Sequence, residues 1–265
     1  MSALELLALF LAGIGAGTIN AVVGSGTLIT FPTLLALGVP PVTANMSNSL
    51  GLVPGSVAGA WGYRAELAGQ RRRVLRLLVF STTGGVLGAV LLLLLPPGAF
   101  EAVVPVLILL GVALVILQPR LARAVAARAE RRGTTPGQGD TAWWVPAAAF
   151  ATGVYGGYFG AAQGVLLMGV LGIGVAESLQ RLNGIKNVLV AVVNGVAGVL
   201  FIALSGLLDL GDDAQVDWLL VAVIAVGAVI GGFLGAAVGR RLPPLALRAT
   251  IVVVGLTAVA VIVVS

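Results

Sequence analysis

The apolar content of this chain exceeds what a water-soluble fold can bury. Apolar residues make up 59% of the 265 residues, and charged residues only 9%. An ordinary soluble domain has about 25% charged residues. A soluble fold leaves much of its surface in water, so it could not hide this many apolar side chains. The composition therefore predicts an all-α, multi-pass integral protein of the cell membrane and makes a soluble enzyme untenable.

The residue types that are missing narrow the chemistry further. The chain contains no cysteine and no histidine. Disulfides, thiolate nucleophiles, imidazole bases and the usual zinc, copper or haem sites are therefore excluded. We expect no enzymatic activity, no catalytic residues, no metal and no cofactor. Glycine accounts for 38 residues, about twice the average share of roughly 7%, which indicates close helix packing and broken helices in lipid.

Apolar segments divide the chain into candidate spans, each of which needs about 20 residues to cross a membrane. Long segments lie at 3–23, 44–62, 74–95, 99–117, 142–160, 182–206, 217–238 and 244–264. Two shorter segments, 27–38 and 164–175, are flanked by glycine and predict half-helices or re-entrant pieces. Residues 1–5 contain no basic stretch, so we expect the first segment to be a retained span and not a cleaved signal peptide.

One soluble linker, residues 118–141, separates a first transmembrane half (1–117) from a second one (142–265). Most of the positive charge is arginine, clustered at 64–76, 120–132 and 240–248.

Such clusters mark cytoplasmic loops by the positive-inside rule. The acidic loop 207–216 has no basic residue and is predicted outside. Counting crossings between these loops predicts two oppositely oriented halves with both termini outside. Nucleic-acid binding would also use basic clusters, but these flank apolar spans and lack interleaved aromatic residues.

The two halves form a weak internal repeat. A shift of the second half by 138 residues places Gly26 on Gly164 and Asn45 on Asn183 without gaps. The same shift places Asn48-Ser49 on Lys186-Asn187, and Ser56 on Asn194. An inverted repeat with short, broken helices in matching places is typical of secondary transporters, whose site lies at the repeat interface.

Polar side chains recur along one face of two predicted helices. Asn183, Asn187 and Asn194 fall within roughly 40° of one another on a helix of 3.6 residues per turn, with Lys186 about 60° to one side. Asn45, Ser49 and Ser56 form the equivalent stripe in the first half. These stripes either bind substrate or hold helices together, since Asn and Ser often bond across membrane helices.

Two motifs carry a family resemblance over essentially the whole chain. Residues 13–32 read GIGAGTINAVVGSGTLITFP, and residues 38–48 continue with GVPPVTANMSN. In the second half, residues 153–164 read GVYGGYFGAAQG, and NGIKN follows at 183–187. This pattern resembles the TauE/SafE family of sulfite and sulfonate exporters. The resemblance implies an integral membrane permease for small sulfur-containing anions, such as sulfite or organosulfonates.

Two positions depart from the family pattern and concern the substrate, not the fold. In the second motif, residues 162–164 read Ala-Gln-Gly where the family often has Gly-x-Gly, so Ala162 replaces the first glycine. In the first half, Asn48 stands where a lysine is often found.

A buried anion needs donors or positive charge to replace its hydration shell. The starts of segments 27–38 and 164–175 are candidate donors, because a helix N-terminus offers free N–H groups and about half a positive charge. Tight packing or a simple helix break is the structural alternative for the glycines there. We expect the substrate site to be drawn from Asn20, Gly24, Ser25, Gly26, Thr27, Asn45, Asn48, Ser49, Gln163, Gly164, Asn183, Lys186, Asn187 and Asn194.

Lys186, the only lysine in the chain, has two interpretations. It either faces the anion as a point charge or extends to the membrane interface with its ammonium in water. Glu177 and Arg181 are four residues apart and are predicted to form an interfacial pair that contributes little. No acidic residue lies deep in a predicted span, so any coupling ion is unassigned.

Two other functions compete with a secondary transporter. A passive anion channel could have the same lining and would differ in never carrying flux against a gradient. An intramembrane hydrolase would need a base for Ser25, and Lys186 is the sole candidate. The expected partners are a small anion and the lipid bilayer, without nucleic acid, and the sequence leaves open whether the chain forms a homo-oligomer.

Single cysteines in this cysteine-free chain test the orientation. We expect Gly137→Cys to react with a membrane-impermeant maleimide only from the cytoplasmic side and Asp212→Cys only from outside. A reporter fused after residue 265 should lie outside, and its detection in the cytoplasm would contradict the predicted orientation.

Overall fold

The computed structural model describes residues 1–132, 141–205 and 215–238, together with 252, 253 and 256. This part of the chain is α-helical, as predicted, and its only β-type contact is one bridge between Thr141 and Val175. The first half contributes α1 (Ala3–Val22), α2 (Thr27–Ala36), α3 (Pro41–Gly62), α4 (Arg71–Leu94) and α5 (Pro97–Arg132). The second contributes α6 (Val145–Tyr158), α7 (Gln163–Gly174), α8 (Leu179–Ser205) and α9 (Trp218–Val238).

The helices follow the predicted segments closely. The two short segments are α2 and α7, with 10 and 12 residues. α5 continues through residues 118–132 of the predicted linker, a stretch rich in the helix-favouring residues Ala and Arg. The last predicted segment, 244–264, and the acidic residues 209–213 fall almost wholly outside the described residues.

Five of the described helices are long and apolar enough to cross a membrane: α1, α4, residues Gly98–Arg120 of α5, α8, and residues Trp218–Ala237 of α9. Large apolar side chains such as Leu4, Val79 and Val106 are exposed on their outer faces. Polar side chains such as Asn45 and Lys186 are instead fully buried. This is the reverse of a soluble protein and suits a lipid environment.

The main helix pairs join the two halves. α1 packs along α9, α6 packs along α4, and α3 and α8 pack on each other between them. The shift of 138 residues matches α1–α4 with α6–α9, so the pair α1–α9 corresponds to α6–α4. Inversion of the repeat stays a prediction.

Helices α1–α2 and α6–α7 form two hairpins that open toward opposite ends of the molecule. At the open end of α6–α7, the Ala142 N–H donates to Gly174 O (2.8 Å), and Arg73, at the start of α4, donates to Thr141 (3.0 Å). The open end of α1–α2 leads into α3, where Ser47 Oγ accepts from the Asp217 N–H (2.9 Å). α3 runs from that end to the arginine-rich loop before α4, which separates the two open ends.

Glycines bring the paired helices into backbone contact. A Cβ at Gly231 in α9 would overlap the carbonyl oxygen of Ile14 in α1, and a Cβ at Gly157 in α6 would overlap that of Gly85 in α4. Glycine is required at these positions because nothing larger fits between the backbones.

Replacing Gly231 tests this packing. We expect Gly231→Ala to lower the free energy of unfolding by about 1–3 kcal/mol through overpacking. Gly195→Ala is the matched control, since its nearest neighbour would be a Val53 methyl group at 3.9 Å. Unfolding of both variants in detergent micelles checks this, and equal stability would contradict the close contact.

Candidate functional site

Each hairpin turns at a backbone conformation that L-residues rarely adopt. Gly24 (φ +88°) follows α1, and Gly160 (φ +76°) follows α6. Ala162 (φ +65°) precedes α7 in the left-handed region, where a side chain is normally disfavoured. Such strain concentrates at functional sites.

The two breaks touch. The Gly164 N–H donates to Gly24 O (3.0 Å), and a Cβ on either glycine would overlap the Cα of the other. The packing interpretation therefore holds for Gly24 and Gly164, and it places the neighbouring Ser25 and Gln163 beside one contact point between the halves.

Ser25 and Gln163 are the least satisfied polar side chains at this point. Both are 1% exposed. Ser25 Oγ and both amide atoms of Gln163 have no hydrogen-bond partner in the described part of the chain. The shift of 138 residues places Ser25 on Gln163, so the unpaired groups occupy equivalent positions. Because a buried polar group without a partner costs about 1–3 kcal/mol, both point to an interaction outside the chain itself.

The helix starts differ in the N–H groups that they offer. At α7, the N–H groups of Gln163, Gly164 and Val165 already donate to backbone carbonyls. At α2, those of Ser25, Gly26 and Thr27 donate to no acceptor among the described residues. Only α2 therefore has the free N–H groups expected of an anion-binding helix start.

Lys186 does not extend to the interface, so that interpretation is wrong. Its side chain is fully buried, and Nζ donates to the carbonyls of Asn20 (2.9 Å) and Ala21 (3.2 Å). These carbonyls belong to the last turn of α1, where no further helical N–H follows to pair with them. Lys186 therefore places its amino group at the negative end of the α1 dipole, where a positive charge is favoured.

Asparagines of the polar stripes cap the hairpin helix of the opposite half. Asn183 and Asn187 both donate to Ala21 O, at 3.0 Å and 3.2 Å. Asn45 makes the equivalent contact in the first half and donates to Tyr158 O in the last turn of α6 (2.9 Å). These amides thus hold helices together, and each keeps a second N–H.

The other predicted residues are buried around the same hairpins. Asn20 donates to Ser56 (2.9 Å), and Asn48 donates to Thr27 (3.2 Å) and accepts from Thr30. Ser49 and Asn194 are also buried. Thr30 and Tyr155, which donates to Ala161 O, were not predicted. Spacing could have indicated Thr30, because it lies three residues after Thr27 on one helix face.

A second polar cluster lies at the arginine-rich end. The Glu177 side chain is fully buried and accepts from Gln70 (2.7 Å), Arg73 (2.8 Å) and Arg181 (3.3 Å). The predicted Glu177–Arg181 pair is confirmed, and Arg73 and Gln70 are further partners of Glu177 that were not predicted. It ties the α7–α8 connection to the loop before α4.

Hydrogen bonding decides the charge of Glu177. Burial raises the pKa of its carboxyl group, but hydrogen bonds from Arg73, Gln70 and Arg181 outweigh burial and hold the pKa below its ordinary value. The ionised form therefore stabilises the fold above the ordinary carboxyl pKa, and this contribution is lost as the pH falls through the lowered value.

Apolar helices around broken hairpins with buried polar groups define a multi-pass membrane protein built like a transporter. The chain belongs to the TauE/SafE family, since the family model described as "Sulfite exporter TauE/SafE" matches residues 9–262.

Similar proteins carry transporter names. "Probable membrane transporter protein YfcA" of Escherichia coli strain K12 is 26% identical over 255 residues, covering 91% of this chain and 82% of that protein. "Probable membrane transporter protein ORF9" of Sinorhizobium sp is 33% identical over 108 residues, which cover 40% of this chain and 41% of that relative. A "Probable membrane transporter protein" of Haemophilus influenzae is 34% identical over 107 residues, or 40% of this chain and 42% of that one. No solved structure matches.

Neutralising Glu177 tests the cluster. We expect Glu177→Gln to lower the free energy of unfolding by about 1–3 kcal/mol at neutral pH, because two half-buried arginines lose the buried carboxylate that accepts their hydrogen bonds. The deficit should shrink as the pH falls through the lowered pKa of the wild-type carboxyl group, where the wild type is protonated as well. Glu101→Gln, on an exposed position of α5, is the control. A deficit equal to the control at neutral pH would refute the assignment.

Proposed function

We propose that this chain is a secondary transporter that moves small sulfur-containing anions, such as sulfite or organosulfonates, across the cell membrane. Family membership supports a membrane transporter, and the family's description names sulfite export. The observation that carries the proposed site is the pair of buried, unpaired side chains Ser25 and Gln163, one at each hairpin turn.

The anion would bind between the two turns. Ser25 Oγ, the Gln163 amide and the free N–H groups at the start of α2 are all neutral donors. Neutral donors suit a singly charged oxyanion, whose oxygens accept several short hydrogen bonds.

Lys186 would supply charge without direct competition from a carboxylate. An ammonium has three N–H bonds, and two of them are used by Asn20 O and Ala21 O. The third is available to an anion. Burial in a low-dielectric interior makes this charge more effective than it would be in water.

Alternating access would follow from an inverted repeat. The two hairpins open toward opposite ends and touch at Gly24 and Gly164, so a site between them can be exposed to either side by rocking one half on the other. The Glu177 cluster would close the cytoplasmic side in the present conformation.

A hydrolase has weaker support. Ser25 Oγ makes no hydrogen bond to Lys186, whose Nζ instead contacts main-chain carbonyls. The nucleophile–base contact that a Ser–Lys dyad requires is therefore missing from this conformation.

Alanine variants at the turns test the site. We expect Ser25→Ala and Gln163→Ala each to weaken sulfite or sulfonate binding by about tenfold or more, as for a hydrogen bond to a charged group. Ser81→Ala is the matched control, because Ser81 Oγ is also buried and unpaired but lies on α4. Binding to purified protein is measured by calorimetry over sulfite, sulfate, thiosulfate, taurine and sulfoacetate.

If all three variants lose the same affinity for the anion, or if neither turn variant loses any, the binding site does not lie between the turns. Flux into proteoliposomes against an anion gradient then separates a transporter from a passive channel.

A further inference from the structure

The last turns of α1 and α6 occupy equivalent places in the two halves but have different partners. The end of α1 receives an ammonium from Lys186 and amides from Asn183 and Asn187. The end of α6 receives the amide of Asn45, and no charged side chain of the described residues donates to it. One helix end thus contains a cation tethered to the chain, and the other does not.

The difference arises at one position. Asn48 is the counterpart of Lys186 under the 138-residue shift. Its amide is engaged with Thr27 and Thr30 on α2. A side chain of this length and charge cannot replace the ammonium at the end of α6.

Two amide oxygens lie beside the end of α6, and one of them, Asn45 Oδ1, is buried and unpaired in the described part of the chain. Asn45 Oδ1 is fully buried and has no partner among the described residues. It belongs to the same planar amide whose nitrogen donates to Tyr158 O, so it lies next to that turn. Asn194 Oδ1 is 3.8 Å from the Cβ position of Gly160, two residues after Tyr158.

These groups have the chemistry of a monovalent cation site. The C-terminus of a helix carries about half a negative charge, and carbonyl and amide oxygens are the ligands that hard cations prefer. No carboxylate is among them, which favours a single positive charge over a divalent ion. Helix ends of this kind bind Na⁺ in transporters with broken helices.

We propose that the end of α6 binds Na⁺ through its last carbonyls, Asn45 Oδ1 and Asn194 Oδ1. At this end Na⁺ does what Lys186 does at the end of α1. Its binding stands independently of any anion. Its role as the coupling ion rests on the proposed function. A cation next to the hairpin turns would raise the affinity for an anion there, and a bound anion would equally raise the affinity for Na⁺.

Thermal unfolding without any anionic substrate tests the site. The full-length protein in detergent is heated in NaCl, KCl or choline chloride at equal ionic strength. We expect a saturable rise in the unfolding midpoint with Na⁺ and little with choline, because a ligand that binds only the folded state stabilises it.

Two variants assign the effect to this helix end. Asn45→Ala should lose the Na⁺ response. Asn48→Lys should lose the Na⁺ response too, because it supplies an ammonium at the position equivalent to Lys186. This variant retains Asn45, so it tests the site even if Asn45→Ala fails to fold. Asn183→Ala, the same change in the other half, should retain the response.

No Na⁺ effect on the wild type, or a full effect in Asn48→Lys, would overturn the site. Anion binding is then measured with and without Na⁺. Absence of anion binding in every salt, with the Na⁺ response intact, would count against the proposed function and leave the cation site standing.

Discussion

Backbone groups at helix breaks inside an apolar protein must find hydrogen-bond partners. The architecture of this molecule follows from which side chains pair with these groups. The hairpins expose the last carbonyls of α1 and α6 where water cannot reach them. The α1 carbonyls are paired by Lys186, Asn183 and Asn187, and Tyr158 O in α6 is paired by Asn45. Each cap comes from the opposite half, so the breaks can exist only when both halves are packed together.

Close packing is what allows the breaks to meet. Glycine contacts let α1 pack closely on α9 and α6 on α4, and Gly24 lies in contact with Gly164. The result is a small region in which two turns, two helix ends and one ammonium lie near each other while the outer surface stays apolar. Such a region can hold charge that lipid would reject. At the arginine-rich end, Glu177 fixes the connection between α7 and α8 to the loop before α4.

Much of this could be predicted from sequence because it depends on local pattern. The short helices α2 and α7 were expected from length and flanking glycines. The two polar stripes, one containing Asn45 and the other Asn183, were expected from helical periodicity. The partners of those side chains were not predictable, since Lys186 contacts residues 165 and 166 positions away. The burial of Glu177 likewise depends on Gln70 and Arg73, which no local rule connects to it.

The backbone conformation at the turns could not be predicted from the sequence either. Gly24, Gly26 and Gly164 suggested breaks, but a left-handed Ala162 has no sequence signature. The pairing of the Gly164 N–H with Gly24 O also depends on packing between the two halves, which no local pattern indicates.

Whether an anion binds between the two hairpin turns can be decided by locating a bound anion in the protein. Selenite is the selenium analogue of sulfite, and its anomalous scattering can be located in crystals of the protein grown with it. We expect one anomalous peak within hydrogen-bonding reach of Ser25 Oγ and the Gln163 amide. A peak elsewhere in the molecule, with this region unchanged, would contradict it.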